Sequence, residues 1–183
     1  MADRKLVLHP ANPWAILQDP PALVERLRDI GLIGASFPHM GELHHRPGQR
    51  FQELILFRPE SAGGSTPPSA CHVSVIETAA EPVFLGGSNA QPPLCPGCRT
   101  KFQSWTTLLQ SWQEDKRRFR WPCRSCGKGI ATEQLDWSRT GGIARYSVEV
   151  WEVGEGEAGP SPELMRFLEE EMKEPWRHFF YRF

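Results

Sequence analysis

Apolar positions recur along this chain in two rhythms, one strand-like and one helical. Lys5-Leu-Val-Leu8 reads as a short strand. Leu23, Val24, Leu27 and Ile30 share one helical face. The helix they predict opens at Asp19-Pro-Pro21, where Asp19 can cap and the prolines suit the first turn, and it stops at Gly31. Leu32 to Phe37 follows as a second strand, and Phe51 to Phe57 and Cys71 to Glu77 as two stronger ones. Glu60 to Ser69 is a polar loop, and Gly86 to Pro93 is a linker. Further on, Phe102, Trp105, Leu108, Leu109 and Trp112 fall at helical spacing and predict an amphipathic helix over Ser104 to Asp115. Phe119-Arg-Trp121 returns as a strand, a turn follows around Thr132 to Trp137, and Ile143 to Val153 alternates as one long strand. Ser161-Pro162-Glu163 supplies a cap, a first-turn proline and a first-turn acid, predicting a helix to about Lys173. Trp176 to Phe183 is an aromatic final strand.

These elements predict an α+β protein in two parts. Residues 1–88 form a small N-terminal α/β unit. Residues 95–183 form a zinc-ribbon-like module with the long strand, the C-terminal helix and the aromatic tail.

The module is identified by two doublets, Cys95-Pro-Gly-Cys98 and Cys123-Arg-Ser-Cys126, with 24 residues between them. A C-x-x-C knuckle can turn both sulfurs toward one ion, and two knuckles supply the four ligands of tetrahedral Zn²⁺. Pro96 presets one dihedral, Gly97 tolerates unusual ones, and Gly127 lies where the chain turns away. The spacer exceeds the usual ~15–20 residues because the amphipathic helix is inserted in it. A closed Cys₄ site holds structural Zn²⁺ at Cys95, Cys98, Cys123 and Cys126, one ion per chain. Iron on the same thiolates and a thioredoxin-like dithiol are the alternatives.

Net charge is −1 over 183 residues, so the whole chain is no general polyanion binder. The distribution is uneven. Residues 95–137 carry 8 basic and 4 acidic side chains, whereas 1–94 carry 7 and 9, and 138–183 carry 6 and 9. Lys116, Arg117, Arg118, Arg120 and Arg124, interleaved with Phe119 and Trp121, can contact phosphates and stack on bases. Four thiolates around Zn²⁺ formally add −2, so part of that basic excess compensates the metal site.

The first residues, MADRKLVLHP, lack an apolar run after the charges, and no stretch approaches the ~20 apolar residues of a membrane span. Five cysteines, four of them in metal-type doublets, fit a reducing cytoplasm rather than a secreted disulfide scaffold. Cys71 is expected in the core. His39, His44 and His45 lie beside glycines in an expected loop and are the candidates for a second metal, while His39, His44 or His72 would serve an enzymatic site in the N-terminal half. Six of the seven tryptophans cluster in the C-terminal half. They either pack a core poor in aliphatic volume or present an aromatic patch to a protein partner or a second copy of the chain. No Walker loop, G-x-G-x-x-G, H-E-x-x-H or G-x-S-x-G occurs.

The stretch from Cys95 onward resembles a group of uncharacterised bacterial proteins of similar length. The likeness rests on the two doublets, Leu135-Asp-Trp137, a glycine-led strand from Gly142 and the ending Pro175-Trp-Arg-His-Phe-Phe-Tyr181. It implies a bacterial cytoplasmic protein with a zinc-ribbon-like insertion, and it carries no catalytic residue. The reading is therefore a zinc-binding protein acting as a non-enzymatic interaction or adaptor protein. A nucleic-acid-binding ribbon and an enzyme with an N-terminal site around His39, His44 or His72 are the alternatives.

Overall fold

The computed structural model describes residues 4–58, 71–77 and 80–183. The expected polar loop at 60–69 lies outside them. Along the chain come β1 (Arg4–Pro10), α1 (Pro20–Asp29), β2 (Ile33–His39), β3 (Glu42–Pro47), α2 (Phe51–Leu54), β4 (Ile55–Phe57), β5 (His72–Glu77) and β6 (Val83–Leu85). There follow α3 (Trp105–Glu114), β7 (Trp121–Pro122), β8 (Gly129–Ile130), a 3-10 turn (Thr132–Gln134), β9 (Gly142–Ala144), β10 (Tyr146–Trp151), β11 (Ala158–Pro160), α4 (Pro162–Met172) and β12 (Trp176–Arg182). Strands and helices are mixed, with strand predominating.

Six strands make the main sheet in the order β12-β1-β10-β5-β3-β2, and its neighbours pair antiparallel. The sheet draws on both segments expected to be separate units, since β10 and β12 flank β1. The boundary at 88–95 therefore marks the entry to an insertion, not the end of a sheet. β6 and β9 pair with each other at the insertion's two ends.

The two faces of the main sheet differ in chemistry. Leu6, Leu8, Val73, Val148, Val150 and Phe180 face the first core, where Leu23 and Leu27 of α1 and Leu164 and Leu168 of α4 meet them. On the other face, cross-strand rows run Tyr181, Lys5, Trp151, His72 and Phe179, Val7, Glu149, Ser74, His44, Phe37. The second core belongs to the insertion: Phe102, Trp112, Trp121, Ile130, Leu135, Trp137 and Ile143 pack around the buried Cys95 and Cys123.

Both expected caps form. Asp19 Oδ1 accepts from the Ala22 amide at 2.9 Å, and Ser161 Oγ accepts from the Leu164 amide at 3.1 Å. Four expectations are corrected. Phe51 to Phe57 opens as the helix α2, because Phe51, Leu54 and Ile55 are buried at a spacing of three and four. Residues 42–47, expected as loop, form β3, joined to β2 by a two-residue turn with Met40 at φ 50 and Gly41 at φ 85. The strand expected over Phe119 to Trp121 is reduced to Trp121–Pro122, since the Phe119 amide donates to Asp115 O in a turn. The long strand from Ile143 divides at Arg145, β9 serving β6 and β10 serving the main sheet.

Candidate functional site

The two cysteine doublets fold into matching knuckles. The Cys95 amide donates to Thr100 O at 3.0 Å and the Cys123 amide to Lys128 O at 2.9 Å. The Arg99 amide donates to Cys95 O at 2.9 Å and the Gly127 amide to Cys123 O at 2.8 Å. The residue after each doublet is left-handed, Arg99 at φ 62 and Gly127 at φ 71. In the first knuckle that strain falls on Arg99 rather than on Gly97, the residue the sequence suggests for it.

The four Sγ atoms lie within 4.8 Å of one another. Cys95 and Cys126 sulfurs are 3.8 Å apart, Cys98 and Cys123 sulfurs 3.5 Å. A disulfide needs ~2.05 Å. A tetrahedron with metal–sulfur bonds of ~2.3 Å has sulfur–sulfur edges of ~3.8 Å, which these two separations approach, so the group could hold one metal ion. The Thr100 hydroxyl, 3.4 Å from the Cys98 sulfur, and the Thr100 amide lower Cys98 to about 6. Cys126 behaves oppositely. The Lys128 amide pulls it down, but burial and the three neighbouring sulfurs prevail and push it up to about 11. Four thiolates crowded together need a cation to share their charge. Among the described residues this is the only group of His, Cys, Asp and Glu donors converging within that distance.

The sheet also gathers three of the predicted histidines. Ring centroids are 4.9 Å apart for His39 and His44, 4.9 Å for His39 and His72, and 4.8 Å for His44 and His72. His72 stacks on Trp151 at 5.6 Å. His45, next in β3, points to the opposite side of the sheet and stands apart. Burial first, and then His72, His39, His45 and Lys5, lower His44 to about 4. The three rings touch, but they are not a converging donor set of the kind the four cysteines form. Cys71 is buried, and burial pushes its thiol up to about 11, which makes it a poor nucleophile.

The basic run is largely engaged within the fold. Lys116 Nζ lies 3.1 Å from Glu81 Oε2, the Arg117 guanidinium sits 4.1 Å over the Trp14 ring, and Arg120 donates to the Arg117 and Phe119 carbonyls. Arg118 and Arg124 are the remaining exposed members. Trp112, Trp121, Trp137 and Trp176 are buried, so they pack cores rather than form an exposed patch. Among the described residues no helix is long and apolar enough to cross a membrane.

A feature the linear reading does not reveal is a cleft of about 400 Å³ between the ends of β1 and β12 and the exit of the insertion. His9, Arg139, Gly142, Arg177 and His178 line it. Leu135–Trp137, Gly142 and the Pro175–Tyr181 tail, singled out above as separate motifs, meet there. Comparison of the chain with protein-family models, with curated proteins and with solved structures finds no match.

Proposed function

We propose that Cys95, Cys98, Cys123 and Cys126 hold one structural Zn²⁺ in a ribbon-like insertion, and that the protein acts by binding rather than by catalysis. The observation that carries this is the set of four sulfurs within 4.8 Å of one another, with two of the pairs at 3.8 and 3.5 Å. Once all four bind, the ion has no open position for water or substrate, so it contributes folding energy. Three of the five basic residues, Lys116, Arg117 and Arg120, make contacts within the fold, which weighs against nucleic acid as the ligand, and the reduced thiols suit a cytoplasmic protein.

Elemental analysis of freshly purified, reduced protein tests the metal. About one zinc per chain is expected, with no visible iron–thiolate absorption. Cobalt substitution should give tetrahedral thiolate spectra, which Cys98→Ser and Cys126→Ser alter. Metal-free protein with unchanged thermal stability would refute the reading.

A further inference from the structure

The cleft beside β1 and β12 is built from parts that share no other evident purpose. His9 is 4 % exposed, and its Nδ1 lies 2.8 Å from Pro10 O. A ring nitrogen facing a carbonyl carries the proton, so the neutral ring keeps its lone pair on Nε2. Burial is the main cause that keeps this ring neutral, holding it at about 4 although the Pro10 carbonyl pulls the other way. The Phe179 ring braces it edge-on at 5.6 Å. Gly142 lies against Nε2, and a Cβ there would overlap it. His9 thus enters the cleft as a fixed hydrogen-bond acceptor.

Opposite stands a strained turn. Ser138 and Arg139 are consecutive non-glycine residues at φ 49 and φ 62. The Thr140 amide closes the turn on Trp137 O at 2.9 Å, and the Phe180 amide ties Arg139 O to β12 at 3.2 Å. Each left-handed residue costs about 1–2 kcal/mol, and such strain gathers where side chains must be aimed. The turn aims Arg139.

The charges around the cleft do not cancel. Asp136 is paired with Arg99 at 2.6 Å and also interacts electrostatically with Arg177. Arg177 donates to the Leu135 carbonyl at 3.3 Å. Neither Arg139 nor Arg177 has a carboxylate within ion-pair distance among the described residues. With Arg99 counted, three arginines stand against the two acids of the lining, Glu133 and Asp136, an excess of one positive charge. Guanidinium groups bind oxyanions through paired N–H donors.

We propose that this cleft binds a small oxyanion, a carboxylate or a phosphate, that carries a neighbouring hydroxyl or N–H group. Arg139 and Arg177 take the anion, and His9 Nε2 accepts from the neighbouring donor. The assignment needs the insertion folded but not the identity of the ion that folds it, so a failed metal analysis and a failed titration of the cleft remain distinguishable.

The test uses the full-length protein as purified, with its bound metal. Glycolate and glycerol 3-phosphate are the donor-bearing probes, and acetate and methyl phosphate lack the donor. Imidazole and guanidinium nitrogen NMR signals are followed during titration at constant ionic strength. At least one donor-bearing probe should saturably shift His9 Nε2 and Arg139, and which one does so distinguishes carboxylate from phosphate. Its donor-free counterpart should bind about tenfold more weakly and leave His9 unmoved. Arg139→Gln, at an exposed turn, should weaken binding by about tenfold, whereas Lys101→Gln outside the cleft should not. Unchanged His9 and Arg139 signals with all four probes, shifts reproduced by sodium chloride, or full-affinity binding by Arg139→Gln would overturn the proposal. Because the His9 signals are read in the unmodified protein, the outcome does not hinge on a variant folding.

Discussion

Acidification should destabilise this protein, with His9 setting much of the slope. The perturbation is a fall in pH from neutrality through 6.5 toward 4. His9 has an ordinary value of 6.5 in the unfolded chain and is held at about 4 in the fold by burial, against the smaller opposing pull of the Pro10 carbonyl. Between those values the unfolded state binds a proton that the folded state refuses, so stability falls as pH falls. One pKa unit is worth ~1.4 kcal/mol, so His9 alone accounts for about 3 kcal/mol by the bottom of the window. That is a large part of the ~5–15 kcal/mol that holds most domains folded. His44 is also lowered to about 4, chiefly by burial, and acts in the same direction. Urea unfolding at closely spaced pH values measures the effect. The control is His9→Asn, whose amide can still donate to Pro10 O but does not titrate. Metal content must be followed at each pH, since thiolate protonation also releases zinc. The quantity that decides is the difference in slope between wild type and variant. Equal slopes, or a wild type that gains stability on acidification, would refute the placement of His9 as a buried neutral ring.

Three further outcomes follow from the packing. Lys5→Met leaves Glu149, 2.7 Å from Lys5 Nζ and itself buried, without its counter-charge; a loss of about 3–5 kcal/mol is expected by equilibrium unfolding, largely recovered in Lys5→Met/Glu149→Leu. Lys173→Gly should stabilise by about 0.5–1 kcal/mol, read as a raised Tm, because Lys173 ends α4 in the left-handed region at φ 56. Trp121→Ala empties a fully buried site in the core around the cysteines; it should cost about 3–5 kcal/mol and speed zinc extraction by a chelator.

The parts legible in the sequence are those whose causes are local. The caps of α1 and α4 are written in Asp19-Pro-Pro21 and Ser161-Pro162-Glu163, and each forms with the expected side-chain bond. The knuckles are equally local, since each closes by hydrogen bonds spanning no more than five residues. β3 escapes because its buried residues, His44 and His45, are polar and face opposite sides of the sheet, leaving no apolar alternation. α2 escapes because a short stretch such as Phe51 to Phe57, apolar at five of seven positions, suits a strand or a helical turn equally well. The meeting of His39, His44 and His72 depends on β2, β3 and β5 lying side by side in that register, and pairing of this kind cannot be read from any one segment.

The same contrast explains the place of the metal in the fold. The insertion enters through β6 and leaves through β9, and these two strands clamp its ends together. Residues 83–144 between them fall short of the ~70–80 residues below which one core seldom supplies enough stability. Their core is correspondingly small: Trp112, Trp121 and Trp137 are its largest buried members, and two of the cysteines are themselves buried in it. A metal bound at both knuckles would join the two ends of that core across the helix α3, which lies between the doublets in sequence. The turn at 136–140 leaves the same core through Trp137 and carries Arg139 to the edge of β12. The cysteine site and the cleft therefore share one mechanical support. A change that loosens the knuckles can reach Arg139 through that turn, Arg177 through its bond to the Leu135 carbonyl, and His9 through Gly142, while His9 and Arg177 keep their anchorage on the main sheet.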